Sequence, residues 1–284
     1  MDLSLFLPPL AACLIIVAIH SYLGLHVLAR EVIFVDLSLA QIAALGTTVA
    51  YLAGFDLHSQ AAWLWSLGFT FLGAAVFALS RVHHRTRIPQ EAIIGIVYAV
   101  SAAVAILVMS KATQETEHLK EMLVGNILSV SWTELGRTAV LYAAVGLFHY
   151  LLRKRFLLIS LDPEEAARRG WNIRFWDFLF YVSFGFVVTS SVAIAGVLLV
   201  FCFLIVPSVT AMLFSERLGL RLVIGWTMGA VVSAGGVWFS FTLDLPTGAT
   251  IVATFGAALL LLAGVRMAFG RGGGGAARAE AMER

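Results

Sequence analysis

The sequence predicts an all-α fold: a polytopic membrane helical bundle of about nine transmembrane helices, N-out and C-in, with a short cytoplasmic helix in one connection. Three observations predict it. Hydrophobic residues make up 60% of the 284 and charged residues only 13%, with a mean hydropathy of +0.93. One soluble interior cannot hide that much apolar surface. The apolar residues also come in continuous runs, as spanning helices require, whereas barrel strands alternate. Finally, the basic residues gather in alternate connections. The composition excludes a secreted disulfide scaffold, a disordered chain, a nucleic-acid-binding domain and an ordinary cytosolic enzyme.

The first span reads as 5–28. It has no basic leader and no small-residue cleavage site, so it is retained rather than removed. Runs at 33–53, 61–80, 91–110 and 135–152 follow, most of them near the roughly 20 residues a crossing needs. The stretch 174–214 is too long for one crossing. Thr189, Ser190 and Ser191 suggest a tight turn that divides it into 174–189 and 192–214. Runs at 220–242 and 247–268 complete a transmembrane domain over 1–268. The Gly-rich tail, 269–284, is expected to be disordered, its arginines near anionic lipid. Cys13 and Cys202 lie in apolar runs and read as small buried hydrophobes.

With the N-terminus outside, 16 of the 19 Lys and Arg fall in inward connections or the tail; Lys111, Lys120 and Arg137 do not. That asymmetry predicts N-out and C-in. The longest inward connection, about 153–174, is too short for a catalytic domain. There is no Gly-rich phosphate loop, no HExxH and no GxSxG. The chain is expected to be no enzyme and to bind no cofactor of its own.

Four features could carry function. The inward segment SLDPEEAARRGW, 160–171, reads as a short helix capped at both ends. Asp162 suits the N-cap and Pro163 the first turn. Glu165 is spaced to reach back to the cap's N–H. Glu164 and Glu165 complement the positive end of the helix dipole, Arg168 and Arg169 the negative end, and Gly170 the stop. Such a helix suits docking to a separate protein; the competing reading is a helix lying on lipid. Second, Pro207 sits inside a span, where it removes a backbone hydrogen bond and kinks the helix.

Third, the second span carries Asp36 and Gln41, about 140° apart around a regular helix and so unable to chelate one ion together. Ser38, Gln41 and Thr48 share a face. This thin polar stripe reads either as a pathway lining or as interhelical hydrogen bonding aided by Ala43, Ala44 and Gly46. Fourth, the outward loop 111–126 gathers Glu115, Glu117, His118 and Glu121. Glu117, His118 and Glu121 are candidate ligands for a divalent ion at the outer mouth, against the simpler reading of a solvated loop. His83 and His84 belong to a basic patch, and His20, His26, His58 and His149 stand alone with no ligand spacing to a partner.

From about residue 10 to 266 the chain resembles the ABC-3 family of permeases, the zinc, manganese and iron importers of bacteria. The resemblance rests on Ala43-Ala44-Leu45-Gly46, Glu91–Tyr98, Val124-Gly125-Asn126-Ile127-Leu128, the loop Asp162–Gly170, the run Gly196–Ala211 and Asp244–Ala249. It implies a bacterial plasma-membrane permease working as a homodimer. A cytoplasmic ABC ATPase would dock at Asp162, Glu164, Glu165, Ala166, Arg169 and Gly170. A metal-binding solute-binding protein would deliver cargo outside. Zinc or manganese is the implied cargo; iron or a chelated metal is the alternative. Family members carry Asp-x-x-x-His in the second span. Aligned on Gly46, this chain has Leu37 and Gln41 there, with Asp36 one residue away. A stand-alone secondary transporter or channel is the competing class, but the span interiors hold few of the ionisable groups that ion coupling uses.

Overall fold

The computed structural model describes residues 3–56, 59–81, 88–110 and 127–282, with side chains from 6 to 268 within those limits. The elements are α1 (Leu3–Ala29), α2 (Val35–Leu52), α3 (Gln60–Ser80) and α4 (Gln90–Met109), then a single 3₁₀ turn at Ile127–Ser129. They continue with α5 (Trp132–Leu151), α6 (Arg153–Leu161), α7 (Pro163–Arg168), α8 (Ile173–Ala195), α9 (Val197–Phe214), α10 (Leu218–Leu243) and α11 (Thr247–Met282). Among the described residues, eight helices are long and apolar enough to cross a membrane; the α5–α6 pair, bent by 75°, would be a ninth. The bundle is all-α among the described residues.

The expected turn at Thr189–Ser191 is not where the chain breaks. The Ser190 hydroxyl donates to the Phe186 carbonyl at 2.8 Å and that of Ser191 to the Val187 carbonyl at 2.7 Å. Both hydroxyls bond carbonyls of their own helix, and both also meet the Tyr142 hydroxyl on α5, so α8 continues. The break comes at Gly196, whose φ of 75° and ψ of 163° suit a residue without a Cβ. Pro207 lies inside α9, which continues to Phe214.

α1 is the hub. It packs on α9 and α10 along one side and meets α5 and α6 on the other, while α2 packs against α3 and α4, and α3 against α8. Phe77, Phe156, Phe180, Phe184, Phe203 and Phe255 are fully buried between these helices. Small residues set the closest approaches. A Cβ on Gly46 would stand 2.8 Å from the Trp65 carbonyl oxygen, and one on Gly24 would run into the Leu204 carbonyl and the Ser208 hydroxyl. Backbones can come this close because lipid offers no hydrophobic drive and packing must do the work. Cys13 and Cys202 are both unpaired and buried, as expected.

Candidate functional site

The α6–α7 end of the bundle holds the predicted coupling helix. α7 is six residues long with Asp162 as its N-cap, whose Oδ1 accepts from the Glu165 N–H at 2.9 Å. Gly170 closes it at φ 74°, and the Trp171 N–H reaches the Ala166 carbonyl at 3.1 Å. One detail departs from expectation. Glu165 does not reach back to the cap's N–H, because α6 runs directly into α7. The Asp162 N–H instead donates to the Leu158 carbonyl at 2.7 Å. The Glu165 carboxylate pairs with Arg168 and Arg169, each at 2.8 Å. These two arginine hydrogen bonds, Arg169's first, hold it below the usual glutamate range. Ala166 is fully buried and seats α7 on the bundle, while Glu164, Ala167, Arg168 and Arg169 face outward.

Beneath α7 lies a buried ionic cluster absent from the sequence reading. Asp177, in the second turn of α8, is fully buried. Its Oδ1 accepts from Arg30 Nη1 at 2.6 Å and from Arg81 Nη1 at 2.6 Å; Arg81 Nη1 also reaches Oδ2 at 2.5 Å. Arg30, just past the end of α1, further donates from Nε to the Ser160 hydroxyl at 2.8 Å and lies 4.0 Å over the Phe180 ring. Arg81, which ends α3, donates to the Ile159 carbonyl at 3.4 Å. The side chain of Arg30 is 1% exposed and that of Arg81 18%. Arg30 and Arg81 count in the sequence only as topology markers, and Asp177 disappears into an apolar stretch. An acid inside a span is nonetheless expensive enough to demand a partner, and that is the signal that could have found it.

Two histidines expected to stand alone meet beside this cluster. The ring centroids of His26 and His149 are 6.4 Å apart. His26 Nδ1 lies 2.8 Å from the Ser160 hydroxyl. His149 bonds the Tyr22 hydroxyl at 3.3 Å and the Ser183 hydroxyl at 2.8 Å. Spacing along one helix could not show this, since His26 is on α1 and His149 on α5. Among the described residues, no group of three His, Cys, Asp or Glu could hold a metal ion.

The second-span residues divide. Asp36 and Ser38 are buried, and Asp36 Oδ1 and the Ser38 hydroxyl have no hydrogen-bond partner. Gln41 is half-buried. The Thr48 hydroxyl donates to its own helix at the Ala44 carbonyl, 2.9 Å away. Interhelical hydrogen bonding also occurs here, from Ser66 on α3 to the Ala43 carbonyl at 3.0 Å. The α2 entrance is fixed from α4, where the Glu91 carboxylate accepts from the Phe34 N–H at 2.9 Å. Glu115, Glu117, His118 and Glu121, with His58, His83 and His84, lie outside the described residues.

Residues 3–266 match the ABC 3 transport family. The chain belongs to that family. The ABC 3 permease is 28% identical over 234 residues to the manganese transport system membrane protein MntC of Listeria monocytogenes, covering 82% of this chain and 81% of that one. It is 26% identical over 239 residues to the chelated iron transport system membrane protein YfeC of Yersinia pestis, covering 84% and 78%. Among solved structures it resembles PsaBC from Streptococcus pneumoniae, in complex with Fab, at a TM-score of 0.73 and 23% identity, with 90% and 89% of the two chains covered. That last likeness concerns the fold. An ABC 3 permease is a transport subunit rather than a catalyst, with ATP hydrolysis on a separate ATPase, and this one is a multi-pass protein of the bacterial inner membrane.

Proposed function

We propose that this permease forms the membrane pathway of an ATP-driven importer for a divalent metal ion, with manganese as its cargo. It crosses the membrane nine times, N-out and C-in. It pairs with a second copy, receives the ion from an extracytoplasmic binding protein and docks a cytoplasmic ATPase at α7. The observation that supports this most is α7 itself: a capped helix whose buried face is one alanine, Ala166, and whose other face is turned to solvent. A loop that merely joined two spans would need no such surface. Glu164, Arg169 and the Asp162 and Gly170 ends shape it for the ATPase.

The donor chemistry supports the choice of ion. Asp36, Ser38, Gln41 and Thr48 offer only oxygen donors, and the family's second-span histidine position is Gln41. Carboxylate, hydroxyl and amide oxygens suit manganese; zinc favours thiolate and imidazole. The names of the relatives, which include manganese and iron transporters, agree with an oxygen-preferring cargo. Iron(II) is the second choice. In this reading Asp36, buried with an unpartnered oxygen, and the Ser38–Gln41–Thr48 face of α2 serve separate points of the pathway rather than one ion. Pro207, beside the close α1–α9 contact, supplies a point where α9 can bend. Glu117, His118 and Glu121 are proposed to receive the ion at the outer mouth.

The test is reconstitution of the permease with its ATPase in proteoliposomes. Manganese should stimulate ATP hydrolysis more than zinc, and uptake should require ATP. Uptake that continues without the ATPase would point to a secondary transporter and end this reading.

A further inference from the structure

α7 projects from a segment, 161–176, whose two flanks are anchored at different places. Ser160 precedes the segment on α6 and Asp177 follows it on α8. One guanidinium holds both. Arg30 Nε donates to the Ser160 hydroxyl at 2.8 Å, and Arg30 Nη1 donates to Asp177 Oδ1 at 2.6 Å. The Ser160 hydroxyl, having accepted from Arg30, is also hydrogen-bonded to His26 Nδ1, 2.8 Å away on α1. Arg81 repeats the bridge from α3, touching the Ile159 carbonyl at 3.4 Å and the Asp177 carboxylate. The attachment also includes Ala166, the aromatic seat of Phe156, Trp176 and Phe180, and Arg155, whose guanidinium lies 4.6 Å over the Trp176 ring.

We propose that Arg30 is a positioning residue for transport, the group that carries a displacement of α7 into α1 by holding both flanks of the coupling segment at once. This rests on the docking of the ATPase at α7 proposed above. The physical argument is directional. Apolar packing resists separation but lets surfaces slide. Short hydrogen bonds from separate nitrogens of one planar, almost fully buried group fix direction as well as distance. A pull or push on α7 by the ATPase reaches both flanks, and both flanks converge on the residue that ends α1. From there α1 packs on α9 at Gly24, opposite Leu204 and Ser208 and next to Pro207. The path from α7 to the bendable part of α9 is therefore continuous. A lysine at position 30 would keep the charge beside Asp177 but, with one point ammonium, could not hold the two flanks in a fixed plane.

The experiment uses the full complex of permease, ATPase and binding protein in proteoliposomes, reading ATPase co-purification, ATP hydrolysis and manganese transported per ATP. In Arg30→Lys and in Ser160→Ala the ATPase should still co-purify and hydrolyse ATP. Manganese transported per ATP should fall about tenfold in the first and less in the second, the scale set by losing one hydrogen bond to a charged group. Ser160→Ala leaves every charge in place, so it decides the matter if Arg30→Lys does not fold. An unchanged transport-to-ATP ratio in either folded variant overturns the proposal. So does loss of ATPase binding, which would mean that Arg30 only shapes the docking surface. The docking reading is tested separately by Ala167→Trp, which sets an indole on the outward face of α7. If that variant still binds the ATPase with native affinity, the docking site is elsewhere and the fault lies with that premise.

Discussion

Removing the carboxylate of Asp177 should be among the most damaging single changes to this fold. Asp177→Ala leaves two guanidinium groups facing each other without their shared anion. Arg30 is 1% exposed and has nowhere to go, whereas Arg81, at 18%, can swing part of the way to water. Breaking a buried ion pair by deleting one partner costs about 3–5 kcal/mol, and Arg81's partial exposure places this case toward the lower end. At roughly 2–4 °C per kcal/mol, the unfolding midpoint of the purified permease should fall by roughly 6–15 °C. The informative comparison is Asp177→Leu combined with Arg30→Met and Arg81→Met. An all-apolar replacement of a buried cluster is often neutral or stabilising, so the triple variant should return to within about 1 kcal/mol of the native protein. It should still fail to couple ATP hydrolysis to transport. Thermal unfolding in detergent, followed by near-ultraviolet circular dichroism, reads the first quantity and the proteoliposome assay the second. If Asp177→Ala shifts the midpoint by less than about 1 kcal/mol equivalent, the cluster is wet and the reasoning fails.

Three further outcomes are expected. Gly24→Val forces branched carbons into the Leu204 carbonyl and the Ser208 hydroxyl and should cost about 2–3 kcal/mol, whereas Gly256→Ala, with open space at its Cβ, should stay within about 1 kcal/mol of native in the same unfolding measurement. Gly196→Ala puts a Cβ on backbone at φ 75° and should cost about 1–3 kcal/mol by thermal unfolding, while Ser190→Ala, inside α8, should cost less. Asp36→Ala should lower manganese uptake while leaving ATPase co-purification intact; uptake at the native rate would remove Asp36 from the pathway.

The spans were legible because each is a local property: an apolar run of the right length announces itself whatever it packs against. The α7 helix was legible for the same reason, since Asp162, Pro163 and Gly170 act within one or two turns. What the sequence hid is what depends on distance along the chain. Arg30, Arg81, Ser160 and Asp177 come from four separate elements and share no spacing. His26 and His149 likewise meet only because α1 and α5 do. The misplaced α8 break has the opposite cause. Thr189, Ser190 and Ser191 look like a turn because hydroxyls often serve turns, yet in apolar surroundings Ser190 and Ser191 bond to carbonyls of their own helix and Thr189 meets the Thr70 hydroxyl on α3. Gly196, six residues from Ser190, was the better signal, since a glycine readily takes the positive φ at which the helix breaks. Glu165 shows a subtler limit: its spacing was right for a box, but the donor it would have served was already occupied by α6.

The two native thiols have a practical consequence. Cys13 and Cys202 are 0% and 5% exposed, each enclosed by neighbouring helices. A maleimide added to intact cells should therefore find a silent background. A cysteine engineered at Ser59, before α3, or at Ser215, after α9, becomes a reporter read against that silence, and a membrane-impermeant reagent then tells which compartment each end of the bundle inhabits.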